Sequence, residues 1–433
     1  MLKTGLSFAE GRGGAARSPR LPLSVKLILL TVCLPEGTSL FLMGLRLTLT
    51  RVIFIALVPV VLMRILRRIA AGRYRFVASD LFVPLAAFWM FLGPAVTNGL
   101  MDTAVHSGPV VLEYLMAYMS VRFLLSGDQT SLVFTRFLCG VLSVVALVGL
   151  LDTATGRFFT RGFVDSITGY SMASAGSEPG LHRFGLVRAT GPLEHPILFG
   201  FACAIGFLLA LSVDMRWQKF CVTACGIGLI SSLSSAPGLA AVTGVGLILY
   251  SRLFVRVRHK WGLFALPSAL VIGVFFLLSA TPVRDLINAF TLDPQTGFYR
   301  LYEWQSVGPA ILQNPYFAVL PGDYTYHGSI DSLWLLLALS YGIPCSVLTG
   351  LSLIGACSLP TSGRRTRLTK VEERLGTALG IVMVVIVFMG FTVDFWGSTW
   401  ILVGLLVGLR ANLGELGRLN LDQHRQRTLA PAL

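Results

Sequence analysis

The sequence predicts an all-α fold: a polytopic membrane helical bundle of about twelve transmembrane helices. Three observations lead there. Of 433 residues, 54% are hydrophobic and only 13% are charged, against about 25% charged in a soluble domain, and the mean hydropathy is +0.74. So few charges cannot cover a water-soluble surface of this length. Apolar windows of about 20 residues, the length that crosses a hydrocarbon core, recur along the chain. The basic residues collect in segments that an even number of spans places on one side.

Residues 1–22 are rich in Gly, Arg and Ser and read as a basic disordered tail, with no small-residue cleavage site after the first apolar run. Five helices are expected within 23–152, near 24–44, 48–66, 80–98, 105–125 and 131–151. A long connection covers 153–192. Four helices follow within 193–281, near 193–213, 218–235, 237–254 and 261–281; the middle pair, joined at Ala236-Pro237-Gly238, also reads as one broken helix. A second long connection covers 282–329. The last three spans, within 330–412, fall near 330–352, 377–394 and 397–412, before a tail at 413–433.

Five basic segments set the orientation. Arg64, Arg67, Arg68, Arg73 and Arg75 follow the second span. Arg252, Arg256, Arg258 and Lys260 follow the eighth, and Arg364, Arg365, Arg367, Lys370 and Arg374 follow the tenth. With both basic tails these share one side, which the positive-inside rule makes cytoplasmic. Both termini are then cytoplasmic and both long connections lie outside. Long connections without regular structure are often functional. Arg46 and Arg51 fall outside against the rule, and headgroup snorkelling accounts for them.

The formal net charge of +14, from 35 Lys+Arg against 21 Asp+Glu, follows from these cytoplasmic loops, and no nucleic-acid signature accompanies it. The seven cysteines sit mostly in apolar stretches and imply neither a disulfide framework nor a zinc site. There is no Asp-x-Asp pair to hold a nucleotide sugar through a metal, no Walker A run and no Gly-x-Ser-x-Gly elbow. No metal or cofactor is expected.

Ionisable residues crowd the ends of the two outer connections. His182, Arg183, Arg188, Glu194 and His195 lead into the sixth span, where Pro192 or Pro196 suits a first helical turn. A helix N-terminus beside guanidinium groups is an anion site, and Arg188 has the fork for a diphosphate. A structural Arg–Glu pair pinning the loop explains the same residues. In the second connection, 298–313 has helical spacing with Tyr299, Glu303 and Val307 on one stripe, as for a short amphipathic helix on the membrane surface. Arg300 is a second cation for the same aqueous pocket. His327 and Asp331, four apart, open the tenth span; either could accept a proton, and Asp331 equally suits a helix cap. Ser231, Ser232, Ser234 and Ser235 read as interhelical hydrogen-bonding groups.

Three stretches carry a resemblance to a known family: RATGPLEHPILFG at 188–200, SSLSSAPGLAA at 231–241, and GFYRLYEWQSVGPAILQNPYF with HGSIDSLWLLLALSYGIPC over 297–345. In order and spacing they resemble the O-antigen ligase and polysaccharide polymerase family of bacterial inner membranes. Two departures stand out. Ala236-Pro237 replaces the family's Arg in the Ser-rich stretch, and Asp331-Ser332 stands where lipopolysaccharide ligases often have His-Asn.

The resemblance implies a GT-C-like bundle and glycosyl transfer at the periplasmic face. The donor would be an undecaprenyl-diphosphate-linked glycan and the acceptor a glycan hydroxyl, with no metal needed. Arg188 and Arg300 would bind the departing diphosphate, with Arg46 or Arg51 in reserve, and Asp331, His327 and Glu194, in that order, are candidate bases. A chain-length regulator and a flippase are the implied partners, alongside membrane lipids. The departures suit an exopolysaccharide, O-antigen or capsule polymerase better than a ligase acting on lipid A-core. A polysaccharide transporter or lipid-glycan flippase is the rival outside the family. It calls for ionisable groups at the membrane midplane, where Glu113 is the clearest one.

Overall fold

The computed structural model describes residues 20–35, 38–42, 45–72, 74–125, 130–168, 179–257, 259–282, 284–285, 294–319, 328–359 and 368–429. They are mostly helical. In chain order the helices are α1 (Leu23–Thr31), α2 (Leu49–Ala70), α3 (Ser79–Asn98), α4 (Leu100–His106), α5 (Gly108–Leu124), α6 (Thr130–Thr155), α7 (Phe159–Thr168) and α8 (Pro196–Ser212). Then come α9 (Gln218–Ser231), α10 (Ser235–Leu253), α11 (Lys260–Leu278), α12 (Pro294–Gln313), α13 (Leu333–Tyr341), α14 (Ile343–Cys357), α15 (Lys370–Met389) and α16 (Gly397–Leu429). Two small antiparallel hairpins join them, β1 (Ser39–Leu42) with β2 (Leu45–Thr48), and β3 (His182–Arg183) with β4 (Leu186–Val187).

Among the described residues six helices are long and apolar enough to cross a membrane: α2, α3, α6, α10, α11 and the Gly397–Asp422 part of α16. Shorter apolar helices are α8, α9 and α14. The chain is therefore an all-α bundle of multi-pass membrane type. Several expected spans are shorter or broken. The run at 24–44 holds only the nine-residue α1 before the β1–β2 hairpin, because Pro35 and Gly37 interrupt its apolar pattern. The span expected at 105–125 starts at Gly108-Pro109, where proline fits a first turn. The one at 330–352 splits into α13 and α14 at Gly342, whose φ of +91° closes off the first helix and suits glycine alone. The break between α9 and α10 lies at 232–234, with Leu233 at φ +48°, and Pro237 sits inside the first turn of α10. Finally, the described part of the expected tail, 413–429, is helical. The α16 helix runs through it to Leu429, and Leu413 and Glu415 are buried.

Small residues let the central helices approach closely, as membrane packing favours. Gly404 and Gly408 lie one turn apart on α16, and a Cβ on either would press into the Tyr114 and Tyr118 carbonyls of α5. Tyr114 stacks on Trp400 across the same contact, with centroids 4.5 Å apart. By contrast, α11 has no buried residue. All seven cysteines are free.

The bundle has two chemically distinct ends. At one, Arg122 is fully buried and donates to Asp80 through Nε (2.9 Å) and Nη2 (3.0 Å) and to Glu415 through Nη1. Arg68 reaches the same Glu415 carboxylate at 3.1 Å. Arg374 pairs with Asp214, and Arg252 donates to the Leu211 carbonyl, at this end too. The opposite end gathers the β3–β4 hairpin, the 231–235 turn, α12 and the 390–398 connection.

Candidate active site

The second end is assembled around the segment 179–196. Phe184 and Gly185 both have positive φ (54° and 75°), the two-residue turn that matches strand twist between β3 and β4. Asp152, fully buried at the end of α6, anchors the chain on either side of this hairpin. Its Oδ2 accepts from the Thr190 N–H (3.1 Å), the Thr190 hydroxyl (3.1 Å) and the Gly191 N–H (2.7 Å), and its Oδ1 from the Phe159 N–H (2.9 Å). Replacing Asp152 by Asn puts an NH2 group against these donors. We expect a loss of about 1–3 kcal/mol and faster proteolysis within 153–195, read by limited digestion and thermal unfolding in detergent.

Arg188 is buried by this fold. It donates through Nε to the Ser232 carbonyl (3.1 Å), through Nη1 to the Gly180 carbonyl (2.6 Å) and through Nη2 to the Ser234 hydroxyl. Arg183 donates to the Leu233 carbonyl at 2.7 Å. The serine-rich turn is thus an acceptor surface for two arginines rather than only an interhelical contact. Glu194 does not pair with Arg188. Its carboxylate accepts from the Ser398 N–H (3.2 Å) in the first turn of α16, and its carbonyl accepts from Arg161 (2.6 Å). That geometry makes it a clasp between the loop and the last helix.

His195 caps α8, with Nδ1 accepting from the Ile197 N–H at 3.3 Å. The ring proton therefore belongs on Nε2. Burial, then the charges of Arg188, Arg161 and Arg300, pushes His195 down to about 4, so the imidazole is neutral near pH 7. Burial, with Arg183 and Arg300 as neighbouring cations, lowers Arg188 to about 10. Arg300 thus adds its field at both Arg188 and His195.

The other wall comes from α12, which forms at 294–313, over the stretch with helical spacing. Its Val307, Ala310 and Ile311 pack against Leu335, Ala338 and Leu339 of α13, so its apolar stripe meets protein. One turn before Val307 on that stripe is Glu303, which is fully buried. Its Oε2 accepts from the Asp331 N–H at 3.1 Å, while Oε1 has no hydrogen-bond partner among the described residues. Burial first, then the Asp331 charge, raises Glu303 to about 7, against the pull of Arg300. Arg300 lies with Nη2 4.0 Å from Asp331 Oδ2, and its buried Nε also lacks a partner among the described residues. Burial raises Asp331 while Arg300 opposes it. Asp394, in the 390–398 connection, is raised to about 7 by burial and by Asp331.

The structure sets Arg300 against Asp331 at one rim, with Arg188 an electrostatic neighbour of Arg300 and Glu194 a clasp between the 179–196 segment and α16. Arg51 is engaged elsewhere, 2.7 Å from Glu113, which also removes Glu113 as a lone midplane acid. Arg46 lies on β2, its backbone paired with Phe41; its side chain and all of His327 fall outside the described residues. Sequence reasoning misses Asp394, Asp152 and Arg161 as site residues, and it names Arg183 and Glu303 without giving either a role of its own. For Glu303 the sequence holds a signal: an acid on the same stripe as Val307. Among the described residues no three His, Cys, Asp or Glu side chains gather as a metal ligand set.

This rim offers an anion the Arg300 guanidinium in the field of Arg183 and Arg188, beside buried polar atoms without partners among the described residues, and it carries a carboxylate that burial raises to about 7. A scan against protein-family models and a search of curated proteins give no match to the chain. The likeness to a family therefore rests on the three stretches at 188–200, 231–241 and 297–345.

Proposed function

We propose that the chain is a glycosyltransferase of the bacterial inner membrane that works without a metal ion. It transfers an undecaprenyl-diphosphate-linked glycan to an acceptor glycan hydroxyl at the periplasmic face, as an exopolysaccharide, O-antigen or capsule polymerase. In this reading the backbone crosses about twelve times: α1 with its hairpin, α2, α3, α5, α6, α8, α9, α10, α11, the α13–α14 pair, α15 and α16. The Arg122 end faces the cytoplasm with both termini, and the Arg188–Arg300 rim faces outward.

The observation that carries the proposal is the placement of Arg300, a half-buried arginine whose buried Nε–H has no partner among the described residues, one turn before the buried Glu303 carboxylate on the same helix. The acceptor oxygen attacks the anomeric carbon, its proton passes to Glu303, and the carbon–oxygen bond to the diphosphate breaks. The leaving diphosphate already carries charge and needs cations. Arg300 contacts it, while Arg188, with three N–H groups engaged in protein, adds its field and holds the serine turn. The polar groups sit at a rim, and Glu113 is neutralised by Arg51; both features favour surface chemistry over transport.

The test is complementation of a deletion strain with Arg300→Ala. Lipid-linked repeat units are expected to accumulate in the outer leaflet without long chains. Units held in the cytoplasmic leaflet would instead mark a flippase. Full-length chains left on undecaprenyl diphosphate would mark a ligase, and unchanged surface glycan would remove both enzyme readings.

A further inference from the structure

A cavity of about 1220 Å³ runs along α6, and none of Arg188, Arg300, Glu303 and Asp331 lines it. Its walls are α1, α6 and the start of α9, and between its ends they are apolar, with Val144 and Val148 of α6, Leu30 of α1 and Phe220 of α9 among them. From Arg136 to Val148 is 148 − 136 = 12 residues of α6, about 18 Å at 1.5 Å per residue. One leaflet of hydrocarbon is about 15 Å deep, half of a core of about 30 Å. The groove therefore runs for at least the depth of one leaflet's acyl chains. Val144 and Phe220 are 58% and 47% exposed, so its open side lies where lipid would surround the bundle.

The charge sits at one end only. Arg136 and Arg216, both exposed, line the mouth at the Arg122 end of the bundle. The one acid among the lining residues, Asp214, is paired with Arg374 at 3.2 Å, and Arg136 donates only to the Asp214 carbonyl at 2.9 Å, so neither Arg136 nor Arg216 has a carboxylate partner among the described residues. Trp217 lies under the Arg216 guanidinium, 5.6 Å from ring centroid to Cζ, as an interfacial aromatic does. The far end meets Thr160 and Pro192 and presents no cation to the groove. A lipid whose phosphate belonged at the candidate site would need the reverse polarity.

We infer that this groove binds an anionic phospholipid, its headgroup phosphate between Arg136 and Arg216 and its acyl chains along α6. The inference does not rest on the proposed reaction. Because the groove ends against Pro192, in the segment anchored by Asp152, the bound chains also support the loop that carries Arg188.

Native mass spectrometry of the full chain, delipidated in detergent, tests this with phosphatidylglycerol and phosphatidylcholine of matched chain length. Two cations predict about tenfold or greater retention of phosphatidylglycerol. The double variant Arg136→Gln/Arg216→Gln should bring it down to the phosphatidylcholine level. Gly140→Leu should reduce both lipids, since a Cβ at Gly140 meets nothing within 4 Å and the side chain enters the groove without displacing protein. Leucine also strengthens the helix there, so the fold is kept.

An anionic preference unchanged in the double variant overturns the inference. So does full binding in Gly140→Leu, or a mass showing that a second copy of the chain covers the groove. Binding of undecaprenyl phosphate that survives the arginine changes and disappears in Gly140→Leu would assign the groove to a polyprenyl chain instead.

Discussion

Arg122→Met should destabilise the protein by about 3–5 kcal/mol, the cost of leaving buried carboxylates without their cation. Arg122 is fully buried and Asp80 and Glu415 are each only 4% exposed. Two guanidinium N–H groups bond Asp80 as a fork, a third bonds Glu415, and Nη2 also donates to the Arg75 carbonyl at 3.1 Å. Tyr118 donates to Asp80 at 2.6 Å, and Glu415 also accepts from the Arg75 N–H at 2.8 Å. One side chain thus ties the start of α3, the end of α5, the α2–α3 connection and the last helix. Methionine fills much of the volume but leaves two negative charges in a site that excludes water, with only Arg68 on Glu415. Thermal unfolding in detergent reads the loss. Because the cluster is buried, added salt should not reproduce it. Neutralising the whole set, as Asp80→Asn/Arg122→Met/Glu415→Gln, should recover much of the stability. If the triple variant is as unstable as the single one, packing rather than charge is the cause.

This cluster also marks the limit of what the sequence makes legible. Scarcity of charge and recurring apolar windows establish a membrane bundle, because lipid imposes composition directly. Local patterns carry over for the same reason. The spacing at 298–313 becomes α12, and Gly342-Ile343-Pro344 becomes a helix break. Arg122 is different. In sequence it is one more cation at the end of an apolar run, although Glu415, 293 residues away, makes it a buried ion pair. The first apolar run misleads because hydropathy registers its leucines and not the break at Pro35, beyond which α1 does not extend. At the rim, the arginines are visible as a local cluster. Their division of labour is not, since it depends on which carbonyls of the serine turn fall within reach of Arg188. Glu303 shows both sides: its place on the Val307 stripe is readable, but burial against Asp331, 28 residues on, is not.

Glu303→Gln should lower glycosyl transfer by about 10²–10⁴-fold, the range of a lost general base, with little change in donor binding. Glutamine keeps the shape, and its carbonyl can still accept from the Asp331 N–H, so the α12–α13 contact persists. What it cannot do is take a proton. The pH dependence separates this from a structural role. With Glu303 at about 7, transfer by the parent should rise as pH increases through 7, and the variant should lack that limb. Stability runs the other way. The folded-state value lies above the ordinary 4.5, so the folded protein holds this proton more tightly than the unfolded chain. The resulting stabilisation is complete below about 4.5 and is lost as pH rises toward 7. Glu303→Gln abolishes that slope, so the unfolding temperatures of parent and variant should diverge across this window, with the variant the more stable at pH 7 and above. A variant that loses transfer but keeps the parent's pH–stability slope would mean that Glu303 does not titrate there, and the proton would then pass to Asp331 or Asp394. Arg300→Lys offers an independent check on the same helix. It preserves charge but not the fork, so it should impair transfer and weaken diphosphate binding, whereas Glu303→Gln should spare binding.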